Sequence, residues 1–220
     1  MRFWLTGLVS LAIAIGPVPG AFASAGVATS ASKTAAAVAN SLAVKGRAPK
    51  TGYSRSLFSD GWGSINGCDT RNFILNRDLK SVTWRSNAVC LVATGVLDDP
   101  YTGKRINFIR GVRTSLAVQI DHVVAVSDAW QKGAQQLTSS QRYSFYNDPL
   151  NLLAVDGPTN ESKGDGDAAT WLPPNKSFRC NYVARQVAVK AKYHLWVTSS
   201  EKAAIIGVLG ACPSQKLPVG

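Results

Sequence analysis

The apolar run Leu116-Ala-Val-Gln-Ile-Asp-His-Val-Val-Ala-Val126 constrains this chain more than any other stretch. It reads as a buried strand or strand pair, yet it carries Asp121 and His122 side by side. Adjacent strand residues point to opposite faces, so a direct carboxylate–imidazole pair is awkward here. A carboxylate is a hard anionic donor and a neutral imidazole can take a proton. Those are the two groups that metal-assisted attack of water on a phosphodiester needs. Further along, a second apolar run from Leu150 to Val155 contains Asn151-Leu-Leu, and Asn160-Glu-Ser-Lys163-Gly-Asp165 follows it. Gly157-Pro158 opens a short helix under Asn160 and Lys163, because proline is tolerated in a first turn. The asparagine amide oxygens could complete a cation site.

Residues 1–25 read as a secretory signal. Arg2 is followed by an uncharged apolar run from Phe3 to Ile15, then by Gly16, Pro17, Pro19 and Gly20, with small residues at Ala21, Ala23 and Ala25 for cleavage. The run is shorter than the roughly 20 apolar residues of a membrane-spanning helix; a retained N-terminal anchor is the alternative. The expected location is secreted or cell-envelope associated after signal cleavage. Four cysteines suit that compartment and suggest two disulfides. Cys68 with Cys90 and Cys180 with Cys212 is the local pairing, and no C-x-x-C or C-x-x-H spacing supports the zinc alternative. Net charge is +11, of which the signal holds only Arg2. So basic a surface attracts nucleic acid, anionic lipid or acidic wall polymer, and a plain solubility role fits it as well.

Residues 26–52 are rich in Ala, Ser, Thr and Val and read as a flexible spacer, although a weak helix could form from Thr34 to Leu42. The globular domain is expected over residues 53–215. A loop-rich β region occupies 60–118, with a helix from Thr70 to Leu79 capped by Asp69. Asp98-Asp99-Pro100-Tyr101-Thr102-Gly103 reads as a turn rather than a calcium site, which wants more oxygen ligands. Further helices are expected from Ser127 or Asp128 to Leu137 and from Ser139 or Ser140 to Tyr146. Helical spacing of Tyr182, Val183, Val187, Val189 and Tyr193 predicts a helix from Phe178 to Leu195. Thr198-Ser-Ser-Glu201 is a capping box ahead of another over Ala203 to Leu209. As antiparallel neighbours the two would bring Cys180 and Cys212 to one end.

Strand, strand, helix, with Asp-His on the first, Asn on the second and Asn on the helix, resembles the ββα-metal finger of HNH endonucleases. The wider segment resembles exported actinobacterial proteins of the GmrSD-type HNH family, over roughly residues 60–212. It runs from Asp121-His-Val-Val-Ala-Val-Ser-Asp-Ala-Trp130 through Asn147-Asp-Pro-Leu-Asn-Leu-Leu to Ala168-Ala-Thr-Trp171. The resemblance implies an α+β fold: a ββα-metal (HNH) finger in a small disulfide-containing domain with a C-terminal helical hairpin. It implies His122 as general base, Asp121 and Asn160 as metal ligands, Asn151 as a structural brace that aims His122, and Lys163 against a scissile or flanking phosphate. Two departures stand out: there are no CxxC pairs around the finger, and Asn replaces His at the third signature position. The first leaves the finger's stability to packing and to the disulfides outside it; the second shifts affinity away from zinc or nickel toward magnesium or manganese.

Trp130 and Trp171 are expected in the core, although stacking on unpaired bases is the alternative. His194 is expected to be structural or on the surface, and Asp165 and Asp167 in turns. Lys176, Arg179, Arg185, Lys190 and Lys192 form a possible cradle for a nucleic-acid backbone. The expectation is a monomeric secreted endonuclease using one divalent metal ion, Mg2+ or Mn2+. Its substrate would be DNA rather than RNA, at low sequence specificity, without stable membrane insertion. The alternative is a non-catalytic basic cell-envelope or DNA-binding protein.

Overall fold

The computed structural model describes residues 1–4, 33–88 and 90–219, so the expected signal falls almost entirely outside the described residues. Helix α1 (Ala35–Ser41) begins at Thr34, whose hydroxyl accepts from the Ala37 amide at 3.3 Å. Ala35, Ala39 and Leu42 are buried in a core shared with the two C-terminal helices. Residues 43–48 continue as extended chain, hydrogen-bonded through Lys45 to Val197, through Ala43 from Val197, and through Ala48 to Gln131. Over 35–48 the chain thus takes the helix offered as the alternative from Thr34 to Leu42, followed by anchored extended chain, rather than a spacer. The spacer reading counted large side chains, whereas alanine packs closely with no side-chain entropy to lose.

A tight hairpin follows, β1 (Ser64–Ile65) and β2 (Cys68–Asp69). Asn66 and Gly67 both have positive φ, 52° and 81°, as a two-residue hairpin turn demands. Helix α2 (Thr70–Asp78) is capped by Asp69, which accepts from the Asn72 amide at 2.8 Å. Strands β3 (Lys80–Trp84), β4 (Val92–Asp98) and β5 (Arg105–Ile109) form an antiparallel meander. In the turn between β4 and β5, Asp99 accepts from the Thr102 amide at 2.7 Å and the Asp156 amide at 2.9 Å. Asp98 pairs with Lys80 at 2.6 Å. The acidic turn is therefore held by its own hydrogen bonds.

Strand β6 (Val118–His122) is followed by α3 (Val126–Gln131) and α4 (Ser139–Tyr146), and then pairs antiparallel with β7 (Leu152–Asp156). Helix α3 ends before the expected Leu137 because Gly133, at φ 122°, breaks the chain into a 3-10 turn. Strand β7 starts later than expected because residues 149–151 form another such turn, capped by Asp148. Helix α5 (Gly157–Lys163) comes next. Finally α6 (Arg179–Lys192) and α7 (Ser199–Gly210) pack on each other, α7 opened by the Thr198–Glu201 capping box. The fold is thus mixed α and β, with disulfides Cys68–Cys90 and Cys180–Cys212. Among the described residues no helix is long and apolar enough to cross a membrane.

The β6–β7 pair lies between two cores, as its alternation requires. Val118, Ile120, Leu152 and Ala154 pack with Ile74 and Leu75 of α2 and with Val92, Leu97 and Phe108. Leu153 and Val155 face the other way, toward α1, α6 and α7. A third cluster holds Phe58, Trp130, Phe145 and Tyr193, so Trp130 is a core residue; Trp171 packs on the α1–α6–α7 core. His194 is exposed, in the turn after α6.

Candidate active site

The two-residue period of β6 sends its last two side chains to opposite sides. Asp121 turns toward Tyr101 and α5, and His122 toward Trp62 and α4. The Asp121 carboxylate is buried and takes one hydrogen bond on each oxygen. Oδ2 accepts from the Tyr101 hydroxyl at 2.5 Å and Oδ1 from Lys163 Nζ at 2.8 Å. Burial, and then the Asp121 charge, push the Tyr101 phenol well up, so it stays a donor.

Lys163 Nζ also donates to the His122 carbonyl at 2.9 Å. Helix α5 reaches this position because Gly157 starts it: a Cβ there would lie 2.1 Å from the Leu116 carbonyl oxygen. Lys163 is therefore a buried partner of Asp121. Its expected place against a phosphate is not what the structure shows, since its ammonium is enclosed and two of its three donors go to Asp121 and a backbone carbonyl.

The His122 ring lies parallel to Trp62, with centroids 5.8 Å apart and planes 7° apart, and against Tyr146 at 4.4 Å. Its Nε2 is 2.8 Å from the Tyr146 carbonyl oxygen. A carbonyl can only accept, so Nε2 carries the hydrogen and Nδ1 presents the lone pair. Nδ1 faces Arg55 Nη2 at 3.5 Å. Burial, reinforced by the Arg55 charge and only partly opposed by the Tyr146 carbonyl, lowers the imidazole pKa to about 3. The ring is neutral at physiological pH.

Asn151 is fully buried behind the strand pair. Its Oδ1 accepts from the Val124 amide at 2.9 Å, its Nδ2 donates to the Val124 carbonyl at 3.3 Å, and its own carbonyl accepts from the Val123 amide at 2.8 Å. The backbone leaving His122 is thus clamped from one residue. Asn160 sits on α5, its Nδ2 donating to Gln119 Oε1 at 2.9 Å, while Gln119 Nε2 donates to Glu161 at 2.8 Å. Fixing the amide nitrogen fixes the direction of the Oδ1.

Asp121, His122 and Asn160 line one cavity of about 260 Å³, together with Arg55, Gln119 and Glu161. Asn151 and Lys163 stand behind its wall rather than in it. Among the described residues no three His, Cys, Asp or Glu side chains converge as a metal cluster. The cavity instead offers one carboxylate, with lone pairs beyond its two hydrogen bonds, and one amide oxygen. That donor set fits a hard divalent cation that keeps several of its waters.

Of the expected basic cradle, Lys176 and Lys192 are exposed, whereas the other three are turned toward the protein itself. Lys190 is buried against Glu201 at 2.9 Å and Asp128 at 3.4 Å. Arg185 donates to the Leu150 carbonyl, Arg179 to that of Pro173, and Lys192 pairs with Asp148. The apolar stripe of α6 faces the core, so cations flanking it are drawn to nearby carbonyls and carboxylates. Arg55, Trp62, Tyr101 and Gln119 are site residues the sequence did not single out. Gln119 alone had a signal, two positions before Asp121 on the same strand face.

Residues 69–208 match the family model for the C-terminal domain of GmrSD restriction endonucleases. The chain is also 38% identical over 182 residues to a protein of Arthroderma benhamiae named "Uncharacterized secreted protein", covering 81% of this chain and 85% of the relative. No solved structure gives a significant match. With well over half of its length matched, the chain belongs to the family of the GmrSD restriction endonuclease C-terminal domain.

Proposed function

We propose that the protein is an exported, metal-dependent endonuclease that hydrolyses phosphodiester bonds in DNA, with a ββα-metal finger formed by β6, β7 and α5. The observation that carries the reading is the fixed tautomer of His122, whose Nδ1 lone pair is turned toward Arg55 at the cavity that Asp121 and Asn160 also line. Export is supported by the two disulfides and by the name of the Arthroderma relative.

In this mechanism a water oxygen attacks phosphorus while its proton passes to His122 Nδ1. The phosphorus–O3′ bond breaks, its electron pair stays on O3′, and that oxygen takes a proton from solvent. The products are a 5′-phosphate and a 3′-hydroxyl, and His122 returns its proton to solvent. Asp121 and Asn160 would hold a divalent cation, magnesium or manganese, which would supply charge neutralisation when bound. Tyr101 and Lys163 fix the Asp121 carboxylate, and the Tyr146 carbonyl and the Trp62 face fix the imidazole. Asn151 holds the chain that follows.

Supercoiled plasmid tests the reading directly. Nicking should require magnesium or manganese, stop with EDTA, and fall on the order of 100-fold or more in His122→Ala. A His122→Ala protein as fast as wild type refutes the mechanism. Wild type that binds DNA without cutting it in either metal is a basic binding protein instead.

A further inference from the structure

Arg55 lies on a short 3-10 turn, residues 55–57, upstream of the segment that matches the family model. It nevertheless lines the same cavity as Asp121, His122 and Asn160. Its Nε donates to the Tyr146 hydroxyl at 3.2 Å and its guanidinium lies 5.1 Å from the centre of that ring. These contacts hold the stem and aim Nη2 at Nδ1 of His122, 3.5 Å away. Among the described residues no carboxylate pairs with Arg55, and its side chain is exposed. The other cation of the site, Lys163, is buried and committed to Asp121.

We propose that Arg55 is the phosphate-binding residue of this site, moving from His122 Nδ1 to a nonbridging oxygen of the scissile phosphate and so uncovering the base as substrate enters. The inference rests on the nuclease reading and adds to it a trigger. A neutral nitrogen at 3.5 Å is a poor acceptor for a guanidinium. A phosphodiester offers anionic oxygens that accept shorter, charge-assisted and bidentate bonds. The exchange therefore runs toward phosphate. The same water position is closed to the base while Nη2 occupies its lone pair and opens when Nη2 leaves. Tyr146 remains under the guanidinium stem throughout, so only the terminal nitrogens need to move.

The test uses the full chain and two variants, Arg55→Gln and Arg55→Lys, with thermal melting to verify folding. Binding of a short DNA duplex is measured in EDTA, where it is not cut, as a function of salt, and plasmid cleavage is measured in manganese. In EDTA the slope of log affinity against log salt should shrink by about one in Arg55→Gln and stay near wild type in Arg55→Lys. Duplex should shift the His122 Nδ1 15N resonance in wild type, and Arg55→Gln should already show the uncovered value without DNA. Cleavage by Arg55→Gln should fall on the order of 100-fold, with Arg55→Lys between it and wild type. An unchanged salt slope and unmoved resonance in Arg55→Gln overturn the proposal, as does wild-type cleavage by that variant. Failure of wild type to cut at all refutes the nuclease reading, while the EDTA arm still decides whether Arg55 holds phosphate.

Discussion

Replacing Lys132 by Met should unfold this protein more readily than any surface change, and the size of the effect follows from the contacts. Lys132 Nζ lies 2.7 Å from Asp128, 2.6 Å from Asp167 and 2.6 Å from Glu201, and all four side chains are buried. Lys190 pairs with Glu201 and Asp128, and Arg47 with Asp128 and Asp167, so cations and carboxylates balance. Methionine keeps most of the aliphatic stem and removes one charge, leaving a net negative charge without compensation in the interior. Breaking a buried pair in that way costs about 3–5 kcal/mol. For a domain of this size that is a fall in Tm on the order of 10 °C.

The penalty also has a pH signature. Burial alone would raise the Asp167 pKa, but the Lys132 hydrogen bond and charge, with Arg47, bring it below its ordinary value. In wild type Asp167 therefore contributes stability that is present above its unfolded pKa and lost as pH falls through the lower folded one. Without Lys132 the burial effect weighs more, the folded carboxyl binds its proton at higher pH, and acid relieves the variant. Urea unfolding followed by tryptophan fluorescence at pH 7 and at about pH 4, with slopes compared to verify two-state behaviour, measures both. A gap below about 1 kcal/mol at pH 7, against the 3–5 expected of a broken buried pair, refutes the reasoning. So does a gap that does not narrow in acid.

Three further substitutions probe the site and its frame. Asn151→Ala leaves the Val124 amide and carbonyl unpaired in the interior and should cost about 2–4 kcal/mol in urea unfolding, with plasmid cleavage lost even under conditions where the variant is folded; full activity in a folded Asn151→Ala would show that His122 needs no brace. Tyr101→Phe removes one of the two donors on the buried Asp121 carboxylate and should cost about 1–3 kcal/mol. Its manganese affinity, read by calorimetry, should change too, and an unaltered affinity would detach Tyr101 from the cation site. Replacing both Cys180 and Cys212 by Ser opens a loop spanning 32 residues of sequence and should cost about 3–4 kcal/mol, seen as a lower urea midpoint; no change would mean the α6–α7 pair is held without its bridge.

What could be read from the sequence was local, and what could not was the choice of partners. Strands β6 and β7, helix α5 and the capped C-terminal pair announce themselves through spacing, turn residues and caps. These report on neighbours a few positions away. Helix α1 showed only as a weak alternative to a spacer, because an alanine face gives almost no signal until something packs against it. Lys190, Asp167 and Lys163 hid for the opposite reason: a charged residue reads as solvent-facing until its counter-charge is known, and theirs come from distant segments.

Arg55 is a further case, reaching His122 across 67 positions. The oddity of the central apolar run is resolved in the same terms. An aspartate and a histidine can be buried at its end only because a turn supplies Tyr101 and a helix supplies Lys163 and α4 supplies a carbonyl. Each partner that makes the burial tolerable also fixes an atom the proposed chemistry depends on, the carboxylate oxygens in one case and the ring tautomer in the other. Stability and function are therefore coupled at this strand end. Substitutions at Tyr101, Lys163 or Tyr146, whose ring packs on His122, should disturb both together, whereas Arg55, exposed and unpaired with any described carboxylate, is the site residue whose loss should disturb function alone.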